Sequence, residues 1–354
     1  MKSNSLLAIK KLPSIYETYL WADCIELFCL VSPDGRISKA DILDRLQEEL
    51  SIDKSLLDPP DDKTSLDHDN KDEIVEDFDV NEKIDDRGNK DNRDNKWEQK
   101  IDDWFGHLKF RAGEFGKTDT YPFEIASDTN TIIRKANITL KHKLYIFFLI
   151  ASSLRYTPDL TIRNKISSDF EAVCEAALKK CLPHHAEVYI FGTGTQLQGS
   201  KELSGNLFTK ISKLSDLLHE TVRVKEEHLS KYNVGDGGLD IVGWVPMGDS
   251  SPGLLCIFGQ CACNLNEWLN KQHSASFSLW RHRLTFQVFP SNATFIPFCF
   301  RDSKGDWLKP QDIDSILFDR VRLIYLLQDT HDIVQKLPVY GHLETVIAFR
   351  MSLV

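Results

Sequence analysis

Apolar residues in the first fifty positions recur at helical spacing. Ile15, Leu20, Ile25, Leu27, Phe28 and Leu30 lead into the turn Pro33-Asp34-Gly35. Ser38 then caps a second run through Ile42, Leu43, Leu46 and Leu50. This spacing predicts a helical hairpin over residues 1–50. Residues 51–96 break the pattern: Asp, Asn and Lys dominate, aromatics are scarce and Pro59-Pro60 interrupts, which predicts a flexible acidic insertion. Order resumes near Trp97 and Trp104, passes the turn-like Tyr121-Pro122-Phe123 and ends in an apolar helix from about Leu140 to Leu154. Residues 97–160 are therefore assigned to the same helical domain as the first hairpin.

From Ile162 onward, helical and strand periods alternate. A helix from about Ser168 to Cys181 precedes Pro183, and Val188–Phe191 is a short buried strand closed by Gly192. An amphipathic helix follows over about Leu207–Leu218. Two apolar strands come next, then a helix from about Asn264 to Lys271, strands near Leu284–Val288 and Thr294–Cys299, and a last helix from about Asp312 to Leu327. This order predicts an α/β (α+β) chain: an N-terminal helical domain and, over residues 161–354, a mixed sheet with helices on its faces.

Composition changes that picture little. With 354 residues and 42% hydrophobic content the chain can build two ordinary cores. The most apolar stretch, Leu144–Ala151, lies between Lys143 and Arg155 and is too short to span a bilayer, and Met1–Pro13 lacks the features of a signal peptide. No membrane association and a cytoplasmic location are expected. The eight cysteines, with apolar neighbours at Cys29, Cys174 and Cys256, read as small buried thiols in a reducing compartment. Cys261 and Cys263 form a C-x-C pair without a second pair or nearby His to complete a zinc site. The net charge of −10 is concentrated between Asp58 and Lys96, with about 15 acidic and about 7 basic residues, so it does not exclude a basic groove elsewhere.

The chemistry-bearing stretch is Gly235-Asp236-Gly237-Gly238-Leu239-Asp240-Ile241-Val242-Gly243-Trp244, followed by Leu254–Ala262. Asp236 and the glycines shape a turn that delivers Asp240 into an apolar strand, and a reversal over Met247–Gly253 brings Gln260 alongside. Strand alternation puts Asp240 on one face with Val242 and Trp244, and Gln260 with Cys256, Phe258 and Ala262. Oxygen donors on two neighbouring apolar strands point to a divalent-cation site. Nothing in the chain matches a Ser-His-Asp order, a Walker loop, a dinucleotide fingerprint or H-E-x-x-H.

Helix, strand, glycine-rich turn, Asp strand and Gln strand together resemble the core of the PD-(D/E)XK (restriction-endonuclease-like) nuclease superfamily, over roughly residues 162–300. The resemblance implies that Glu171, Asp240 and Gln260 hold Mg²⁺ or Mn²⁺, and that a lysine two positions after Gln260 assists the attacking water. This chain has Ala262 there. Lys271, on the following helix, is the expected substitute, with Lys225 a weaker one. Arg281, Arg283, Arg320 and Arg322 are expected to contact nucleic-acid phosphates, although Arg320 pairing with Asp314 or Asp319 is an equal alternative. The implied activity is metal-dependent hydrolysis of DNA phosphodiesters, in the setting of a bacterial anti-phage or restriction system with protein partners. The alternative is a catalytically degenerate fold acting as a DNA-binding or assembly subunit.

Overall fold

The computed structural model describes residues 7–9, 12–52, 90–192, 194–229, 235, 237–265 and 267–351, and the side chains of 49–52 and 90–96 lie outside that description. Most of the expected acidic insertion, and Asp236, fall outside the described residues.

The N-terminal half consists of α1 (Thr18–Val31), β1 (Arg36–Ser38), α2 (Lys39–Ile52), α3 (Lys90–Gly116), β2 (Phe123–Ile125), β3 (Thr131–Arg134) and α4 (Leu140–Ser152). The C-terminal half continues with α5 (Leu160–Cys181), β4 (Glu187–Ile190), β5 (Lys201–Glu202), α6 (Leu207–Leu218), β6 (Thr221–Val222), β7 (Ile241–Val245), β8 (Leu255–Cys261), α7 (Trp268–Lys271), α8 (Phe277–Trp280), β9 (Leu284–Thr285), β10 (Ser291–Phe295), β11 (Ile316–Phe318), α9 (Arg320–Leu327) and α10 (Tyr340–Ala348). The fold is mixed α/β, as the periodicities predict. Among the described residues no helix is long and apolar enough to cross a membrane.

Local signals explain several helix ends. Ser38 and Asp41 cap α2 reciprocally: Asp41 N donates to Ser38 Oγ at 3.2 Å and Ser38 N to Asp41 Oδ2 at 2.7 Å. Asp159 accepts from the Thr161 and Ile162 amides and starts α5 eight residues before the expected Ser168. Asn206 caps α6, which ends at His219 in the left-handed region (φ 57°).

Several elements depart from expectation: the strand expected near Leu284–Val288 shrinks to β9, and the one expected over Thr294–Cys299 is β10, which ends at Phe295. The Asn264–Lys271 helix shrinks to the single turn of α7. The expected Asp312–Leu327 helix divides into β11 and α9, because Asp319 caps a new helix by accepting from Arg322 N. Helix α3 begins at Lys90, inside the segment assigned to the flexible insertion. The small antiparallel sheet β1-β3-β2 and helix α10 have no counterpart among the expected elements.

Six strands form the main sheet in the order β11-β10-β8-β7-β4-β5. Strands β4, β7 and β8 are antiparallel neighbours, and β10 runs parallel to β8 with Thr294 opposite Gln260. Alternating residues feed two cores. Val188, Ile241, Ile257 and Phe295 join the α5 side, while Val242, Trp244 and Phe258 join the side covered by α6 and Trp280. The first of these cores also contains Trp21, Trp104 and Phe148, so one apolar cluster runs through both halves of the chain. Each fully buried aromatic of this kind contributes roughly 1.5–3 kcal/mol.

Helix α1 is buried almost all round and carries two charges into this core. Asp23 Oδ1 accepts from Arg111 at 2.6 Å and Asp23 Oδ2 from Arg320 at 2.9 Å; Glu26 Oε2 accepts from Arg111 at 2.8 Å. Tyr121 and Tyr145 hydroxyls donate to Glu26. Burial acts to raise the Asp23 pKa, but Arg320 and Arg111 overcome it and hold the carboxyl below its usual range; for Glu26 burial prevails and the pKa rises. Two acids and two arginines thus satisfy one another where unpaired charge would be costly.

Candidate active site

The site forms where the β7–β8 hairpin meets α5. The register pairs Val242 with Phe258 and Trp244 with Cys256, and continuing it sets Asp240 opposite Gln260. The pair is joined directly: Gln260 Nε2 donates to Asp240 Oδ2, and the Cys261 amide donates to the same oxygen at 2.6 Å. Asp240 is 4% and Gln260 6% exposed. The Gln260 carbonyl Oε1 is buried and has no hydrogen-bond partner among the described residues. A buried acceptor left in this state costs about 1–3 kcal/mol unless something binds it.

Glu171 arrives from α5 and meets Asp240 over Gly192. A Cβ at Gly192 would stand 3.1 Å from Glu171 Oε2 and 3.2 Å from Asp240 Oδ1, so the two oxygens are no further apart than those distances combined. A Cβ at Gly194 would stand 2.8 Å from Glu171 Cβ. The sequence Phe191-Gly192-Thr193-Gly194 after β4 therefore has glycine at the two positions that border the Glu171 side chain. Asp169 secures the same loop to α5: it accepts from Thr195 Oγ1 and, with its other oxygen, from Val339 N at 2.8 Å. Burial raises its pKa. Sequence reasoning missed this positioning role, though the G-x-G after an apolar strand was available as a signal.

Glu171, Asp240, Gln260 and Lys271 all line one cavity of about 230 Å³, together with Ser167, Cys261, Cys263 and Asn264. Lys271 closes α7, and its side chain is 35% exposed and 3.9 Å from Glu267. The next residue fixes the helix end. Gln272, 1% exposed, donates to Asp312 O at 2.8 Å and accepts from Asp314 N at 3.0 Å. Ala262, where the strand lysine would stand, is fully buried against Trp268 and Ile296.

Two carboxylates and an amide carbonyl make an oxygen donor set suited to Mg²⁺ or Mn²⁺. Among the described residues no set of three or more His, Cys, Asp and Glu is placed to hold an ion. The thiols add no charge. Burial pushes Cys174, Cys261 and Cys263 up; Glu171 acts in the same direction on all three and Asp240 on Cys174 and Cys261, while Lys271 acts the other way on Cys263, and the net rise keeps the thiols protonated. All eight cysteines are free of disulfides.

None of the four expected phosphate-binding arginines lines this cavity. Arg320 is a correction: it is 0% exposed and spends its guanidinium on Asp23, Ser152 Oγ and Pro297 O, not on Asp314 or Asp319. Arg301, not Arg320, pairs with Asp319, at 2.8 Å. Arg322 is exposed but donates to Leu317 O at 2.7 Å and lies over Trp307. Arg283 stacks on Trp280 at 4.6 Å and donates to Gly237 O, which holds the glycine turn that leads into Asp240. Arg281 is exposed, and Lys225 is 72% exposed beside Glu227.

No protein-family model, no curated protein and no solved structure matches the chain.

Proposed function

We propose that the chain is a metal-dependent nuclease that hydrolyses phosphodiester bonds in DNA. The observation that carries this is the convergence of Glu171, Asp240, Gln260 and Lys271, far apart in sequence, on one cavity. Supporting it is the order of elements: helix α5, strand β4, the antiparallel hairpin β7–β8, short helices, and β10 parallel to β8.

Glu171, Asp240 and the Gln260 carbonyl would hold Mg²⁺ or Mn²⁺; such an ion, when bound, lowers the pKa of a water and offsets charge developing on the phosphate. The chain's own residues supply the rest. Asp240 is oriented by the Gln260 amide and the Cys261 N–H, which occupy Oδ2 and direct Oδ1 toward Gly192 and Glu171. Lys271 brings an ammonium to the cavity wall, where it would stabilise an anionic oxygen. Its contact to Glu267 is long, at 3.9 Å.

Incubation of the purified chain with plasmid and linear DNA and either ion tests the proposal. Cleavage that requires the ion and disappears in Asp240→Ala is expected. Intact DNA under both ions overturns catalysis, and retained salt-dependent DNA binding would then favour the degenerate binding module.

A further inference from the structure

The stretch His273–Ser291 forms a ridge that begins at the glycine turn of the site. The Ser274 carbonyl would lie 2.9 Å from a Cβ on Gly238, and Arg283 reaches Gly237 O. The far end, Phe289, precedes Thr294, the partner of Gln260, by about five residues.

On this ridge Phe277 and Phe289 stack with centroids 3.8 Å apart and planes 25° apart. Phe289 nevertheless remains 66% exposed, and Leu279 and Val288 of the same stretch are about half exposed. The Arg281 guanidinium lies 6.0 Å from the Phe277 ring centre. Arg223, also exposed, donates to the Arg281 carbonyl at 3.4 Å, which sets a second guanidinium alongside. From His273 to Ser291 the chain has four large aromatics, two arginines and no Asp or Glu, in a protein with 53 acids. The Glu220 carboxylate at the ridge is engaged by the Gln287 and Gly253 amides, and Asp314 meets its first residue, 3.7 Å from His273 Nε2.

We propose that this ridge is a stacking platform for single-stranded nucleic acid. An unpaired base adds to the Phe277–Phe289 stack, and the flanking phosphates are taken by Arg281 and Arg223. An apolar protein surface has no need of the cations, and an intact duplex has no use for an exposed ring, since its bases are already stacked. A strand with unpaired bases uses both. The proposal rests on the nuclease reading for the nature of the ligand, and it adds that the substrate carries a single-stranded stretch on the ridge side of the site.

Fluorescence anisotropy with a labelled oligothymidine and with its duplex, on the full chain in EDTA, tests it. The single strand binds more tightly; Phe289→Ala weakens that binding by about 5- to 150-fold and leaves the duplex and the melting temperature nearly unchanged. Arg281→Ala reduces the salt slope by about one. Equal binding of the two ligands with Phe289→Ala inert overturns the platform, as does a Phe289-dependent dimer in light scattering or no binding of either ligand. If Asp240-dependent cleavage persists while Phe289→Ala is inert, the platform alone fails; if the platform binds but no Asp240-dependent cleavage occurs, the nuclease reading alone fails.

Discussion

Gln260 Nε2 donates to Asp240 Oδ2 across the mouth of the β7–β8 hairpin, and this one bond fixes which way the glutamine points. The reverse orientation would set a carbonyl oxygen against a carboxylate. With the amide nitrogen committed, the buried Oε1 is presented as an acceptor, and the two side chains work as a unit.

Gln260→Glu replaces that donor with a second carboxylate. Without an ion, the facing charges and the lost hydrogen bond destabilise the fold by about 1–3 kcal/mol. Added Mn²⁺ then raises the melting temperature more in Gln260→Glu than in the wild type, because the ion neutralises the pair. Equal shifts in a thermal melt would remove Gln260 from the ion's ligands.

Gly192→Ala inserts a methyl group 3.1 Å from Glu171 Oε2 and 3.2 Å from Asp240 Oδ1. The carboxylates must move apart, so affinity for Mn²⁺ falls by about tenfold or more, while the fold loses about 1–3 kcal/mol at most. Calorimetric titration with Mn²⁺ reads the affinity directly, and an unchanged isotherm would show that the two oxygens do not share an ion.

Lys271→Ala separates catalysis from stability. Its partial exposure and the long contact to Glu267 give the ion pair a stability contribution of only about 0–1 kcal/mol. Loss of an amine acting on the transition state costs about 100-fold or more in rate. Single-turnover cleavage should therefore collapse with no change in the melting temperature, whereas Glu267→Gln leaves the rate within a few fold. Full activity in Lys271→Ala would assign the role to another group.

His107 imposes an acid limit on the fold. Its Nε2 donates to Arg301 O at 2.8 Å and its Nδ1 accepts from Arg111 Nε at 3.1 Å, so both nitrogens are committed in the neutral form. Burial, followed by the Arg111 charge, lowers its pKa from 6.5 to about 3. The unfolded chain therefore takes up a proton that the folded one refuses. The contribution of His107 is intact above about pH 6.5 and is lost as pH falls from there toward 3, with a slope of up to about 1.4 kcal/mol per pH unit. Urea unfolding between pH 7 and 5 should show that slope, and the NMR signals of the His107 imidazole should not titrate over the same range; titration of His107 near pH 6.5 would refute the assignment.

Arg320→Ala should unfold rather than inactivate. It leaves Asp23 and Glu26 buried with one arginine instead of two, a loss of about 3–5 kcal/mol. Urea unfolding would report it, and nucleic-acid affinity per folded molecule should be unchanged. Reduced affinity in a fully folded Arg320→Ala would reopen a phosphate-binding role.

Much of this protein follows from local rules. Helix α6 spans Leu207–Leu218 as its period and the Asn206 cap require, and the β7–β8 hairpin follows from two alternating apolar runs separated by a turn. Those alternations make Asp240 and Gln260 candidates on neighbouring strands, and the register of the hairpin then sets them opposite one another. What the sequence could not determine is anything that depends on packing between distant segments. Arg320 reads as a phosphate-binding arginine on the last helix, and only the arrival of α1, nearly three hundred residues earlier, buries it against Asp23. Arg283 likewise looks like a phosphate ligand until Gly237 is brought beneath it. Lys271 is placed by Gln272, whose bonds to Asp312 and Asp314 exist only once β11 lies beside β10. Periodicity and capping act over a few residues and are written in the chain; burial and the pairing of charges arise between segments, so the tertiary structure alone decides which charged groups reach the cavity and which are consumed within the fold.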